Sequence, residues 1–141
     1  MPKNKWKNQF TTIEANSKFH NGVREIFATD SFFRNMSCYQ EVPVWELAEG
    51  YYARNQHYDW YIEELNLIIE LHGAQHYKVV NYGNIGAGEA ERSFRKQQER
   101  DNNKMQAALN AGYRYKEIHY RHRTKLTPAL IKQLVLYDNE D

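Results

Sequence analysis

Residues 57–72, which read HYDWYIEELNLIIELH, decide the fold of this chain. The segment 57–62 is rich in aromatic residues, which favour β-strands, and 63–66 forms a short polar turn. The run that follows, 67–71, is apolar except for one acid, a pattern typical of a central strand that is buried on both faces. The stretch therefore predicts a hairpin whose second strand lies inside a sheet.

Glu70 is the acid within that apolar run. An ionised carboxylate in such a strand loses its hydration, so it needs a charged partner or a metal ion. A short turn pairs positions whose numbers sum to about 129, and this register places Asp59 opposite Glu70. If the strand continues, His72 lies on the same face as Glu70, because alternate residues of a strand point the same way. The sequence thus predicts that two carboxylates and an imidazole lie together.

Two further elements are predicted on the N-terminal side of the hairpin. Hydrophobic spacing predicts a first helix over about 12–29, and Thr11 or Thr12 is expected to cap it. Alternating residues predict a strand over about 38–44, with Pro43 near its end or at a sheet edge.

The C-terminal half is predicted to contain a loop, two helices and one strand. The predicted elements are a glycine-rich loop over 82–91, a long charged helix over about 90–111 that ends at Gly112, a strand over 113–119 and a last helix that Thr127-Pro128 begins and that runs through 136. The order α-β-β-β-α-β-α predicts the α/β class, with a single mixed central sheet flanked by helices.

The 141 residues are enough for one domain. We expect a single domain over 1–141, with a basic N-terminal extension over about 1–10, a core over about 12–120 and a C-terminal helix over about 127–136. Cys38 is the only cysteine, which excludes a disulfide framework within the chain and a zinc site built from several cysteines. Because no apolar run is long enough to span a bilayer, we expect a cytoplasmic protein and no membrane partner.

The formal net charge of +1 conceals a strong asymmetry along the chain. Acids outnumber bases seven to one over 41–70, whereas bases outnumber acids ten to four over 91–125. Carboxylates hold metal ions and cations hold polyphosphates, so the two blocks together fit a nuclease. The same pattern also fits an ordinary solvated surface.

Asp59 and Glu70 are the expected ligands of a metal ion. Two carboxylates with water in the remaining positions suit Mg²⁺, for which Mn²⁺ is a possible substitute. His72 and His76 have the chemistry to accept or donate the protons of phosphodiester hydrolysis. Their four-residue spacing also matches the zinc pair of helical metalloproteases, but Gly73 opposes a helix there and no glutamate follows His72.

The segments 57–62 and 67–76, HYDWYI and LIIELHGAQH, resemble the core of the PD-(D/E)XK nucleases. More narrowly, they resemble the very-short-patch-repair endonuclease branch and related phage and homing endonucleases. The resemblance continues in QERD at 98–101 and AGYR at 111–114, and it covers roughly 12–120. It implies an α-β-β-β-α-β core of the restriction-endonuclease kind and a bacterial or phage-infected cell as the setting.

The resemblance also implies roles for particular residues. Asp59 and Glu70 match the acids that bind metal, and His72 stands where most of the superfamily has a lysine. His76 matches a second histidine that handles protons or the scissile phosphate. The resemblance also implies that Gln75 lies near the phosphate or metal. It implies that Asp101 is a helix acid that orients a histidine or a water.

The chain departs from the family pattern at several positions. Tyr58 stands where a proline is expected before the aspartate, and the cysteines of the repair enzymes' zinc site are missing. The branch often has a glutamate in its first helix, where this chain has His20, with Glu14 and Glu25 nearby.

These observations lead us to expect a Mg²⁺-dependent endodeoxyribonuclease that nicks or cuts duplex DNA. The expected DNA-backbone contacts are Arg92, Arg95, Lys96, Arg100, Lys104, Arg121 and Arg123, together with the basic N-terminus. The alternatives are a DNA-binding module that kept the nuclease fold without catalysis, and a junction-directed or RNA-directed nuclease with the same site.

Overall fold

The computed structural model describes residues 17–73 and 87–137. In chain order the elements are α1 (Lys18–Thr29), β1 (Cys38–Pro43), α2 (Val44–Leu47), β2 (His57–Ile62), β3 (Leu67–His72), α3 (Ala87–Asn110), β4 (Arg114–His119) and α4 (Pro128–Leu136). Gln75, His76, Glu14 and the basic N-terminus, for which the sequence predicts functional roles, lie outside the described residues.

The four strands form one sheet in the order β1-β2-β3-β4. The β1–β2 and β2–β3 pairs are antiparallel, and β3 and β4 are parallel. The sheet is therefore mixed and flanked by helices, which confirms the predicted α/β class. Pro43 ends the edge strand β1, where a residue without an N–H is tolerated.

The β2–β3 hairpin has the register predicted from its short turn. Ile62 pairs with Leu67, and Trp60 pairs with Ile69. A single 3-10 turn, Glu63–Leu65, connects the strands, and Asn66 closes it with a φ of 51°. Asparagine tolerates this left-handed conformation better than most residues, so the polar turn fixes which side chains of the two strands meet.

Strand β3 is buried along its whole length, as its apolar sequence predicts. One face of the sheet packs against α1 and α4 through residues such as Phe27, Trp60 and Ile131. The other face carries α2 and α3, with Ile68 and Ala108 in the same buried cluster. Glu70 and His72 share the face of Ile68 by strand alternation, so they lie on the α3 side.

The predicted helix ends are partly confirmed and partly corrected. The Thr127 hydroxyl accepts the Leu130 N–H at 3.1 Å and caps α4, as predicted. At the end of α3 the Tyr113 N–H reaches the Ala108 carbonyl at 3.0 Å, and Gly112 has a φ of 92°, as a helix-ending glycine should.

The start of α1 was predicted too early. It begins at Lys18, and Ser17 caps it by accepting the N–H of Phe19 at 3.1 Å, so Thr11 and Thr12 are not the cap. The physical reason is that any serine or threonine before a periodic apolar run can provide the capping oxygen, and the run does not say which one does.

Two other boundaries also differ from prediction. Helix α3 begins at Ala87, so residues 87–91 of the predicted loop are helical, since glycine at a helix start costs little. The four-residue α2 follows β1 directly, in a stretch with no clear sequence pattern.

Within the described ranges, no helix is both long and apolar enough to cross a membrane.

Candidate active site

Asp59 and Glu70 meet where the β2–β3 hairpin opens. Beyond the Trp60–Ile69 pair, the Asp59 N–H donates to Glu70 Oε2 at 2.8 Å. In return, Asp59 Oδ2 accepts the N–H of Leu71 at 2.7 Å. The two carboxylates thus take over acceptor positions between the strands, and the structure brings together the two acids that the hairpin register predicts.

Burial makes this pair of acids electrostatically costly. Glu70 is 2% exposed, and burial, followed by the charge of Asp59, raises the pKa of Glu70 to about 8. Burial also raises the pKa of Asp59, although the Leu71 N–H and the charge of Lys104 act in the opposite direction. A cation at the site would therefore favour the fully ionised pair.

Lys104 of α3 is the nearest cation, and its ammonium forms an ion pair with Glu70 Oε1. Its side chain is only 15% exposed. The Tyr58 hydroxyl donates to the Lys104 carbonyl at 2.7 Å and so fastens this turn of α3 to β2. The DNA contact predicted for Lys104 stays a prediction, and in the structure its side chain turns inward to Glu70.

His72 and Glu117 extend the site towards β4. His72 is 3% exposed, and its Nδ1 lies 3.8 Å from Glu117 Oε1. The Tyr115 hydroxyl donates to Glu117 Oε2 at 3.2 Å. Glu117 is the register partner of Glu70 on the parallel strand, so the acids of β2, β3 and β4 form a row across one face.

Sequence reasoning missed Glu117 because it lies in the basic block and far from Glu70 along the chain. Glu117 would have been recognised from its pairing with Glu70 on the parallel strand β4, but the sequence alone does not give the register of that pairing. Lys104 carried a clearer signal, since it lies four residues before the buried Ala108 and hence on the same face of α3.

Asp101 lies on the inner side of α3, three residues before Lys104. Its Oδ1 accepts from Gln97 Nε2 at 2.8 Å, and the Arg100 guanidinium donates to Gln97 Oε1 at 3.0 Å. Burial and then the charges of Glu70, Glu117 and Asp101 raise the pKa of the Tyr115 hydroxyl.

The first-helix candidates belong to a different part of the fold. His20 and Glu25 lie on α1, which packs against the opposite face of the sheet. The His20 ring makes an edge contact with Phe19, and Glu25 is exposed.

The remaining predicted DNA contacts are exposed on two elements. On α3 these are Arg92, Arg95, Lys96 and Arg100, and after β4 they are Arg121 and Arg123. Arg121 and Arg123 follow His119, the register partner of His72, so they lie near the same end of β3 and β4. Exposed basic side chains therefore lie on the helix that carries Lys104 and just after the strand that pairs with β3.

Two carboxylates and their surroundings decide whether this site suits a small divalent cation of the Mg²⁺ kind. Mg²⁺ commonly takes one or two carboxylates and fills its other positions with water or substrate oxygens. Asp59 and Glu70 supply two carboxylates, although both oxygens of Glu70 already accept protein donors. In 17–73 and 87–137, no group of three or more His, Cys, Asp or Glu side chains is arranged to hold a metal.

Comparison with known proteins gives no independent support for the family resemblance. The resemblance to PD-(D/E)XK nucleases therefore stays a prediction that depends on residues 57–76 and on the α-β-β-β-α-β order. No protein-family model, curated protein or solved structure matches this chain.

Proposed function

We propose that this protein is a Mg²⁺-dependent endonuclease that hydrolyses DNA phosphodiester bonds. The observation that carries the proposal is the contact of half-buried Asp59 with buried Glu70, which backbone N–H groups hold in place and which Lys104 approaches from α3. Two desolvated carboxylates in contact are unfavourable on their own, and a divalent cation would stabilise their ionised form.

Asp59 and Glu70 would hold the cation in this proposal. When bound, Mg²⁺ supplies a Lewis acid for the phosphate oxygens and lowers the pKa of a coordinated water. Lys104 is close enough to Glu70 to meet a phosphate that approaches the same acids, and its charge would offset the negative charge that develops there.

His72 would hold or transfer a proton beside the scissile phosphate, and Glu117 would orient its ring through Nδ1. Tyr115 fixes the Glu117 carboxylate and so stiffens this arrangement. The exposed cations of α3 and of the segment after β4 would bind the DNA backbone without reading sequence.

A second candidate function is nucleic-acid binding without catalysis on the same fold. The Lys104–Glu70 ion pair favours it, because that contact compensates Glu70 with no metal at all. The candidate leaves the burial of Asp59 beside Glu70 without a purpose, since buried acids repel phosphate. A junction-directed or RNA-directed nuclease would use the same side chains.

The test is cleavage of supercoiled plasmid with Mg²⁺ or Mn²⁺. We expect wild-type protein to nick or linearise the plasmid, and Asp59→Asn and Glu70→Gln to lose activity by at least about 100-fold, the scale for removing a group that stabilises transition-state charge. Glu49→Gln, which alters an exposed carboxylate, is the matched control and should cut normally.

Circular dichroism checks that each variant is folded. Wild-type protein that leaves plasmid and branched duplex intact with both metals refutes the hydrolysis proposal, and binding without cleavage supports the second candidate. Variants that cut as fast as wild type would show that these acids are not the site.

A further inference from the structure

An exposed aromatic side chain lies in the segment between α2 and β2. Tyr52 is 68% exposed, more than any other large apolar or aromatic side chain among the described residues. It contributes little to the hydrophobic core in this position. Its exposure therefore calls for another explanation.

The ring of Tyr52 is held in place despite its exposure. Its hydroxyl accepts from Asn103 Nδ2 at 3.2 Å and from Gln56 Nε2 at 3.5 Å. The ring of Tyr51 lies 4.9 Å away, at 40° to that of Tyr52, and the Tyr51 hydroxyl donates to Gln56 Oε1 at 2.6 Å. A ring that is restrained by hydrogen bonds at its hydroxyl and by a neighbouring ring loses less rotamer entropy when a ligand packs on it.

The same contacts link Tyr52 to the candidate active site. Asn103 directly precedes Lys104, the residue whose ammonium contacts Glu70. Burial, Tyr52 and the charge of Glu70 together raise the pKa of Tyr51, the ring that packs beside Tyr52. The ring is thus tied to the turn of α3 that enters the site.

The same segment carries a cation, Arg54, which packs on an aromatic ring of α2. The guanidinium of Arg54 lies 4.2 Å from the ring centroid of Trp45, and Arg54 is exposed. Proteins that bind unpaired nucleic-acid strands combine aromatic faces for the bases with basic groups for the backbone. A fixed exposed ring, a nearby cation and the adjacent acid site match that combination.

We propose that Tyr52 is a stacking platform for an unpaired base next to the scissile phosphate. The substrate class is then a strand with unpaired nucleotides near the cleavage point, as in a single strand, a flap or a bulge. In a continuous duplex the faces of the bases are covered, and exposing one costs unstacking and unpairing energy. This inference deepens the proposed nuclease function and depends on it for the meaning of the adjacent site.

The test measures binding in EDTA, so that no cleavage occurs. Fluorescence anisotropy compares a labelled 20-nucleotide strand with the blunt duplex of the same sequence. We expect Tyr52→Ala to weaken single-strand binding about 5- to 150-fold, the range for loss of one base–aromatic stack, and to leave duplex binding nearly unchanged. Tyr52→Trp should restore single-strand binding, because an indole also stacks.

Tyr137→Ala is the matched control, since Tyr137 is 63% exposed but lies at the end of α4. It should change neither affinity. A strand that carries 2-aminopurine gives a second readout: wild type should quench its fluorescence by stacking, and Tyr52→Ala should quench it less.

The two proposals fail separately. Protein that cuts plasmid but binds the single strand equally well with and without Tyr52 refutes the platform alone, as does an equal loss for single strand and duplex. Protein that never cuts but keeps the Tyr52-dependent preference for the single strand refutes hydrolysis and supports the platform.

Discussion

Replacing Glu70 with glutamine should change how the stability of the protein depends on pH. Glutamine has nearly the same shape and keeps an oxygen that can accept the Asp59 N–H, now 2.8 Å from Glu70 Oε2. It removes the charge that burial makes costly. Because glutamine also takes the carboxylate away from Lys104, the pH dependence of stability reports the titration of Glu70, whereas the absolute stability also contains the lost ion pair.

The magnitude follows from the pKa of Glu70, which is raised from its ordinary value of 4.5 to about 8 in the folded protein. Each tenfold change in proton affinity corresponds to about 1.4 kcal/mol. The folded state binds more protons than the unfolded state between these two pKa values, so this contribution to stability is present below pH 4.5 and is lost as pH rises to 8. The ceiling of that loss is about 5 kcal/mol.

Urea unfolding at several pH values from 5 to 9 measures this effect directly. We expect the free energy of unfolding of wild type to fall relative to Glu70→Gln by up to about 1.4 kcal/mol for each pH unit. Glu49→Gln, at an exposed site, should follow wild type throughout. Parallel curves for wild type and Glu70→Gln would refute the claim that Glu70 is desolvated beside a second acid.

Three further predictions concern the neighbours of Glu70 and the exposed cations. Lys104→Met should reduce cleavage by about 100-fold in the plasmid assay, because it removes the cation that contacts Glu70. Lys18→Met, at an exposed position on α1, which packs on the opposite face of the sheet, should cut normally. Glu117→Gln should lower kcat about 10- to 100-fold with little change in KM, since in the proposed mechanism Glu117 would orient His72 and would not bind DNA. An increase in KM alone would contradict this role. Arg95→Ala should reduce the slope of log binding constant against log salt by about 1, measured by anisotropy with duplex DNA, and an unchanged slope would exclude a phosphate contact at Arg95.

The part of the site that lies in one hairpin could be predicted from the sequence. A short polar turn leaves few registers open, and the apolar run at 67–71 fixes which strand is central. These two local constraints suffice to place Asp59 against Glu70, and the structure has that register. Local sequence patterns predict this pairing because the two strands follow each other directly in the chain.

The remaining residues could not be placed because their positions depend on long-range packing. Glu117 meets Glu70 through a parallel pairing that follows a 24-residue helix, and no local pattern fixes that register. Lys104 looks like one surface cation among many until the rotation of α3 against the sheet is known. The rotation follows from contacts such as Tyr58 to the Lys104 carbonyl, which no spacing rule predicts.

The arrangement of charges bears on function through its energetic cost. Folding desolvates Asp59 and Glu70 together, and a single ammonium on α3 offsets only part of the resulting repulsion. Apolar residues of similar size would pack such a sheet without that cost, so stability alone does not account for the acids. In the proposed function a bound cation would offset that cost, which would link the stability of the fold to cation binding. We therefore expect Mg²⁺ to raise the free energy of unfolding of wild type and to have no such effect on Glu70→Gln. The reason is that a ligand that binds only the folded state stabilises it, and more so at higher ligand concentration.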